Sequence, residues 1–81
     1  MQKPIDPLLI DARGLRCPWP VLRAAKAFRE RPDADIVIVA DDPIAATELA
    51  AFAREHALRL EGVETPIGTG IRLAPDRSKA Q

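Results

Sequence analysis

The residue of this sequence best suited to chemistry is its single cysteine, Cys17. It stands directly before Pro18, and Pro20 follows two positions later. This spacing is typical of the first turn of a helix, where a proline's missing N–H removes no hydrogen bond. Unpaired N–H groups and the positive end of the helix dipole favour thiolate over thiol at such a place. The sequence therefore predicts an accessible cysteine of lowered pKa, suited to redox, nucleophilic or sulfur-transfer chemistry.

The residues just before the cysteine predict a supporting loop. Arg16 is adjacent to Cys17, and a cation beside a thiolate stabilises it. Arg13, on the same loop, adds positive potential. Gly14 is the flexible point of the loop. Asp11 is expected to accept backbone N–H bonds or to pair with Arg13.

Other side chains near the cysteine are candidates for binding a partner protein. Trp19 is the only tryptophan, and it either anchors a docking partner or packs against its own loop. Arg23, with Lys26 and Arg29, forms a basic flank on the first helix. That flank is either a solvated surface or a means of steering an acidic partner. Arg13 belongs with these candidate contacts.

For several of these residues a purely structural role is the simpler interpretation. A lone cysteine such as Cys17 is commonly a small buried hydrophobe. Asp41 and Asp42 suggest paired carboxylates for acid–base work, but capping of the second helix explains at least one of them. His56 is expected at the edge of the core rather than as a ligand, so we assign it no role.

Apolar periodicity predicts six elements in the order β-α-β-α-β-β. The predicted strands are Leu8 to Asp11, Ile36 to Ala40, Leu58 to Val63 and a last one around Ile71 and Leu73. The first helix is predicted to begin just after Cys17. In Asp41-Asp42-Pro43 an acidic cap precedes a proline, so the second helix is predicted to begin at Pro43. Gly62 is expected to interrupt the third strand or to lie near its end. Since short β-α-β crossovers are right-handed, both helices should cover one face of a mixed four-stranded sheet, which is a two-layer α/β sandwich.

The composition limits the class of protein. A chain of 81 residues is enough for one small domain. Its 12 basic and 12 acidic residues cancel, so no net charge draws it to nucleic acid or to a membrane. One cysteine cannot form an intramolecular disulfide, and one cysteine with one histidine argues against a structural zinc site. The first ten residues contain no long apolar segment, and we expect a cytoplasmic protein.

The segment around Cys17 resembles the TusA-like (SirA-like) family of small sulfur-carrier proteins. The match is carried by D-x-x-G-L-R-C-P-x-P from Asp11 to Pro20, and by Asp41-Asp42-Pro43 with Thr47 just after it. The resemblance covers residues from about 8 to about 74, and it implies a single TusA-like domain over residues 1–81 with that ordered core. It also implies the two-layer sandwich, with no metal or organic cofactor.

The resemblance implies a persulfide on Cys17. A donor protein, either a cysteine desulfurase or a rhodanese-like protein, would supply the sulfur, and an acceptor protein with a reactive cysteine would receive it. Such relays feed tRNA thiolation, molybdenum-cofactor supply or sulfur oxidation. In this chain Glu55-His56 replaces the glycine that the family often has before the histidine. No second cysteine exists to resolve Cys17 internally, so the sulfur must leave to another molecule.

Two other functions compete with the carrier. One is a non-enzymatic interaction or regulatory module in which Cys17 is structural. The other is an RNA-binding domain, which the scarcity of aromatic stacking residues and the absence of a basic excess disfavour. We expect a monomer whose partners are proteins rather than nucleic acid or membrane.

Overall fold

The apolar runs of the sequence become four strands and two helices in the predicted order. The computed structural model describes residues 7–75. The elements are β1 (Leu8–Asp11), α1 (Trp19–Glu30), β2 (Ile36–Val39), α2 (Ala45–Glu55), β3 (Leu58–Thr65) and β4 (Gly68–Pro75). The strands lie in the order β1-β2-β4-β3, with β1 parallel to β2 and the other two pairs antiparallel. The prediction of a two-layer α/β sandwich with a mixed four-stranded sheet is confirmed.

The core lies between the helices and one face of the sheet. Every residue of β2 is buried, and alternate side chains of a strand point to opposite faces. The largest members of the core cluster are Ile36, Ile38, Leu73, Leu49 and Phe52. Full burial of an isoleucine or leucine stabilises the folded state by roughly 1.5–3 kcal/mol relative to its exposure. These contacts attach both helices to the same face of the sheet.

On the opposite face of the sheet, β2 carries apolar side chains that residues of the β3–β4 hairpin cover. Val39 lies beside Gly70, where an added Cβ would be 3.0 Å from the valine side chain and 3.4 Å from that of Thr65. Val37 lies opposite Arg72, which pairs with Asp35. The two valines are therefore buried without a third layer of structure.

Two local expectations are wrong. Strand β3 continues through Gly62, which pairs with Ile71. The ladder with β4 holds this edge strand although a glycine weakens it. Helix α2 begins at Ala45 rather than at Pro43, because Pro43 and Ile44 form a separate turn. Within residues 7–75, neither helix is both long and apolar enough to cross a membrane.

Candidate active site

Two loops meet at the edge of the sheet where the parallel strands β1 and β2 end. The loop carrying Cys17 follows Asp11, and the loop carrying Asp41 and Asp42 follows Val39. Asp11 and Val39 are register partners, so both loops leave the sheet at the same level. The N–H of Ala12 donates to the carbonyl of Val39 over 2.8 Å and extends this pairing by one residue. The topology thus places residues about 25 positions apart in the sequence side by side.

The cysteine loop makes a sharp turn that requires glycine. Gly14 has a φ of +81°, a left-handed conformation that side chains with a Cβ disfavour. The N–H of Leu15 donates to the carbonyl of Ala12 over 3.2 Å. Ala12 is fully buried and Leu15 packs against the core. The loop is therefore anchored on the protein side, and its sharpest turn is at Gly14.

Asp41 and Asp42 hold the cysteine loop through its backbone. Asp41 Oδ1 accepts the N–H of Gly14 over 2.9 Å. Asp42 Oδ2 accepts the N–H of Cys17 over 2.6 Å, while its Oδ1 accepts the N–H of Ile44 over 2.9 Å. Asp42 thus closes the turn before α2, but α2 has Ile44 as its N-cap and no side-chain cap, so the predicted capping of the second helix by an aspartate is wrong. Both aspartates also bind the other loop, a contact that was not predicted from the sequence.

Asp11 and Arg13 form the pair that the sequence predicts. The carboxylate accepts the backbone N–H of Arg13 over 3.1 Å and two guanidinium N–H bonds of 2.8 Å each. These hydrogen bonds lower the pKa of Asp11 from 3.8 to about 2. The charge of Arg13 is therefore compensated by its own neighbour, and Asp11 fixes the start of the loop.

Cys17 is half-buried and stands one residue before the N-cap of α1. The N-cap is Pro18, joined to Cys17 by a cis peptide bond, and Pro20 lies buried in the first turn. Neither proline has an N–H, and the N–H of Trp19 donates to the carbonyl of Arg16 over 2.8 Å. The first turn of α1 thus has few N–H groups left to stabilise a thiolate.

The expectation of a lowered cysteine pKa is wrong for the isolated protein. Burial raises the pKa of the Cys17 thiol above its ordinary value, and the negative charges of Glu48 and Asp42 raise it further. The N–H of Cys17, then that of Ile44, and the charge of Arg16 lower the pKa of Asp42. Arg16 therefore acts on this carboxylate, whereas the causes that shift the pKa of Cys17 are burial, Glu48 and Asp42. The surroundings of the sulfur therefore favour the thiol over the thiolate.

Large apolar side chains are exposed around the two helix starts. Trp19 is 57% exposed and Leu22, one turn further along α1, is 49% exposed. Ile44, two residues after the aspartate that binds Cys17, is 55% exposed. More than half of the Trp19 surface is thus not used in packing against its own loop. Such groups next to a reactive atom suit contact with another protein.

Two shallow grooves adjoin the site. One, of about 510 Å³, is lined by both loops of the site: Gly14, Leu15, Arg16, Asp41, Asp42 and Pro43. The other, of about 310 Å³, lies where Asp11 of β1 approaches Arg23 of α1. Lys26 on the same helix pairs with Glu30 over 2.8 Å. Glu30 compensates the charge of Lys26, which reduces the contribution of Lys26 to the predicted basic flank.

His56 lies at the far end of the helical layer. It is the C-cap of α2, at the opposite end of the helix from Glu48, which lies in the first turn. The centroid of its ring is 4.4 Å from that of Phe52 and 5.0 Å from that of Phe28. This placement agrees with a residue at the edge of the core. Among residues 7–75, no three histidine, cysteine or acidic side chains are grouped so that they could hold a metal ion.

Comparison with known proteins points to one family. A family model described as sulfurtransferase TusA matches residues 9–74, a span that contains both loops of the site. Among solved structures, the chain is similar to the SirA-like protein from Desulfitobacterium hafniense. The two are 29% identical with a TM-score of 0.69, over 85% of this chain and 99% of that one. The likeness therefore extends over the whole of the solved relative.

Proposed function

The chain belongs to the sulfurtransferase TusA family, and on that premise we propose that it is a sulfur carrier. Cys17 holds a persulfide, which it receives from a donor protein and passes to an acceptor protein. The observation that carries the proposal is the position of the only cysteine in the sequence, half-buried on an anchored loop at the start of α1. The whole chain acts as one TusA-like domain in the cytoplasm.

The transfer is an exchange between sulfur atoms. The thiolate of Cys17 attacks the outer sulfur of a persulfide on the donor. The donor's sulfur–sulfur bond breaks as a new one forms on Cys17, and the donor cysteine leaves as a thiolate. The proton that Cys17 gives up passes to that thiolate or to water. The acceptor's thiolate then attacks the outer sulfur in the same way and releases Cys17, with no net oxidation or reduction.

The supporting residues fix the sulfur rather than react with it. Gly14 provides the turn, Asp11 holds the start of the loop through Arg13, and Pro18 and Pro20 stiffen the helix start. A sulfur held in one place presents the same geometry to a donor and to an acceptor. This arrangement supports group transfer over a purely structural cysteine, which would lie in the core cluster.

The partners dock on the surface around the sulfur. Trp19 is the central apolar contact, because large exposed aromatic side chains dominate binding energies at protein interfaces. Arg13 and Arg23, both exposed, lie on the β1 side of that surface. The donor is a cysteine desulfurase or a rhodanese-like protein, and the acceptor carries a reactive cysteine in a route such as tRNA thiolation.

The test is direct loading of the sulfur. The protein is incubated with a cysteine desulfurase and cysteine, and its intact mass is measured before and after treatment with a reductant. We expect a gain of one sulfur atom that the reductant removes. Cys17→Ser is the matched control, and it should gain nothing while keeping its circular dichroism spectrum. A wild-type protein that gains no sulfur from a cysteine desulfurase or from a rhodanese-like protein contradicts the proposal.

A further inference from the structure

Asp42 joins the two halves of the site through a single carboxylate. One oxygen accepts the N–H of Cys17 over 2.6 Å and the other accepts the N–H of Ile44 over 2.9 Å. Hydrogen bonds to an ionised acceptor are about twice as strong as neutral ones. In an amide at the same place one of these two oxygens is replaced by an NH2 donor, which cannot accept the N–H that faces it. The carboxylate therefore ties the cysteine to the first turn before α2.

The same carboxylate is part of a negative environment for the sulfur. Burial is the main reason why the pKa of Cys17 is raised, and the charges of Glu48, in α2, and then Asp42, in the loop before α2, raise it further. Arg16 comes from the cysteine's own loop, and its charge acts on Asp42. The first turn of α1 contains no acidic residue, and Arg13 is paired with Asp11. The charges that act on the sulfur therefore come from α2 and from the loop that precedes it.

We propose that Asp42 is a positioning residue that fixes the backbone of Cys17 and holds its sulfur as a thiol in the free carrier. The hydrogen bond gives the sulfur its place, and the charge that makes this bond strong opposes a second negative charge beside it. The inference rests on the proposed function for the identity of the working sulfur. It concerns how that sulfur is held between transfers.

The charge effect is tested by the pH dependence of alkylation. Because Cys17 is the only cysteine, the rate with iodoacetamide reports on this sulfur alone in the intact chain. Asp42→Asn removes the charge, and we expect its midpoint to move to lower pH and its rate at neutral pH to rise. Glu48→Gln should shift the midpoint in the same direction, since Glu48 also acts on Cys17.

The matched control is Asp41→Asn, in which the same change is made one residue away. Asp41 binds Gly14 rather than Cys17, so the alkylation midpoint should stay at the wild-type value. An Asp42→Asn midpoint equal to or above that of the wild type overturns the proposal, as does an equal shift in Asp41→Asn. Should Asp42→Asn fail to fold, Asp42→Ser provides a neutral side chain that can still cap.

The positioning effect is tested by amide hydrogen exchange. In Asp42→Ala the Cys17 amide should exchange faster than in the wild type, whereas in Asp41→Ala the Gly14 amide should do so. An unchanged Cys17 amide in Asp42→Ala contradicts the positioning role. Both measurements use the protein without a donor, so their failure is distinct from a failure to gain sulfur in the loading test.

Discussion

The two ends of the helical layer are built in different ways. At one end α1 and α2 begin, and carboxylate-to-amide hydrogen bonds from Asp41 and Asp42 hold the loops beside exposed apolar side chains. At the other end the helices finish, and Phe28, Phe52 and His56 pack their rings together. Under the proposed function, this difference separates the sulfur site from the packed end of a chain of 81 residues. Substitutions at one end should therefore change transfer, and those at the other end should change folding.

The largest effect on stability is expected from Phe52→Ala at the packed end. The side chain is 7% exposed and contacts both other rings of the cluster. Removing a buried phenylalanine costs about 3–5 kcal/mol, which is a large part of the stability of a small domain. Chemical denaturation followed by circular dichroism measures the loss, with Phe52→Leu as a milder control. A loss below about 1 kcal/mol would show that this end does not carry the stability.

The next effect is expected on transfer, from Trp19→Ala at the open end. Loss of a large aromatic contact at an interface commonly costs about 2 kcal/mol of binding, or roughly 30-fold in affinity for the donor. Stability should change by no more than about 0.5 kcal/mol, because most of the side chain is exposed. Donor concentration dependence of sulfur loading measures the effect. His56→Ala is the control at the far end, and equal effects of the two changes on donor affinity would remove the contrast between the ends.

A smaller effect, which is a gain in stability, is expected from Ala57→Gly. Ala57 follows the C-cap of α2 with a φ of +56°, a left-handed conformation that costs a residue with a Cβ about 1–2 kcal/mol. Glycine relieves this strain but loses more entropy on folding, so we expect a net gain of about 0.5–1 kcal/mol. The melting temperature should rise by a few degrees, and sulfur loading should not change. A lower melting temperature would mean that the turn is not strained.

The smallest effect is a pH dependence at the open end. The folded-state pKa of Asp11 is about 2, below its ordinary value of 3.8. Its pairing with Arg13 therefore stabilises the folded state above pH 3.8 and stops doing so as the pH falls towards 2. We expect Asp11→Asn to be less stable than the wild type at neutral pH, with the difference vanishing in acid. Denaturant midpoints across this range measure it, and a difference that persists in acid would point to a contact other than the ion pair.

The order of the elements can be predicted from local sequence, but the electrostatics of the site cannot. The β-branched run Ile36–Val39 and the glycine at position 14 can be recognised in the sequence without knowledge of long-range contacts. The fold and the cysteine loop could therefore be predicted. The charge state of Cys17 could not, because Asp42 and Glu48 reach it through the parallel pairing of two strands. Only the expected crossover, combined with an acidic pair after β2, signals that contact in advance.

The predicted extent of β3 was wrong for a related reason. A glycine in the middle of a sequence segment predicts a break, and Gly62 looks like one. In the sheet its partner Ile71 belongs to a strand that is hydrogen-bonded on both sides, and this long-range ladder outweighs the local preference. The start of α2 shows the same limit, since the hydrogen bond from Ile44 to Asp42 forms a turn before the helix begins.

The chain has one tryptophan, and it lies two residues from the only cysteine, exposed at the helix start. Its indole emission therefore depends on the solvent contact of that one place. A docking protein that shields the ring should move the emission to shorter wavelength, so the chain carries its own optical reporter. Encounter kinetics with a donor or acceptor that lacks tryptophan near its interface can then be followed by stopped-flow fluorescence, with no added label.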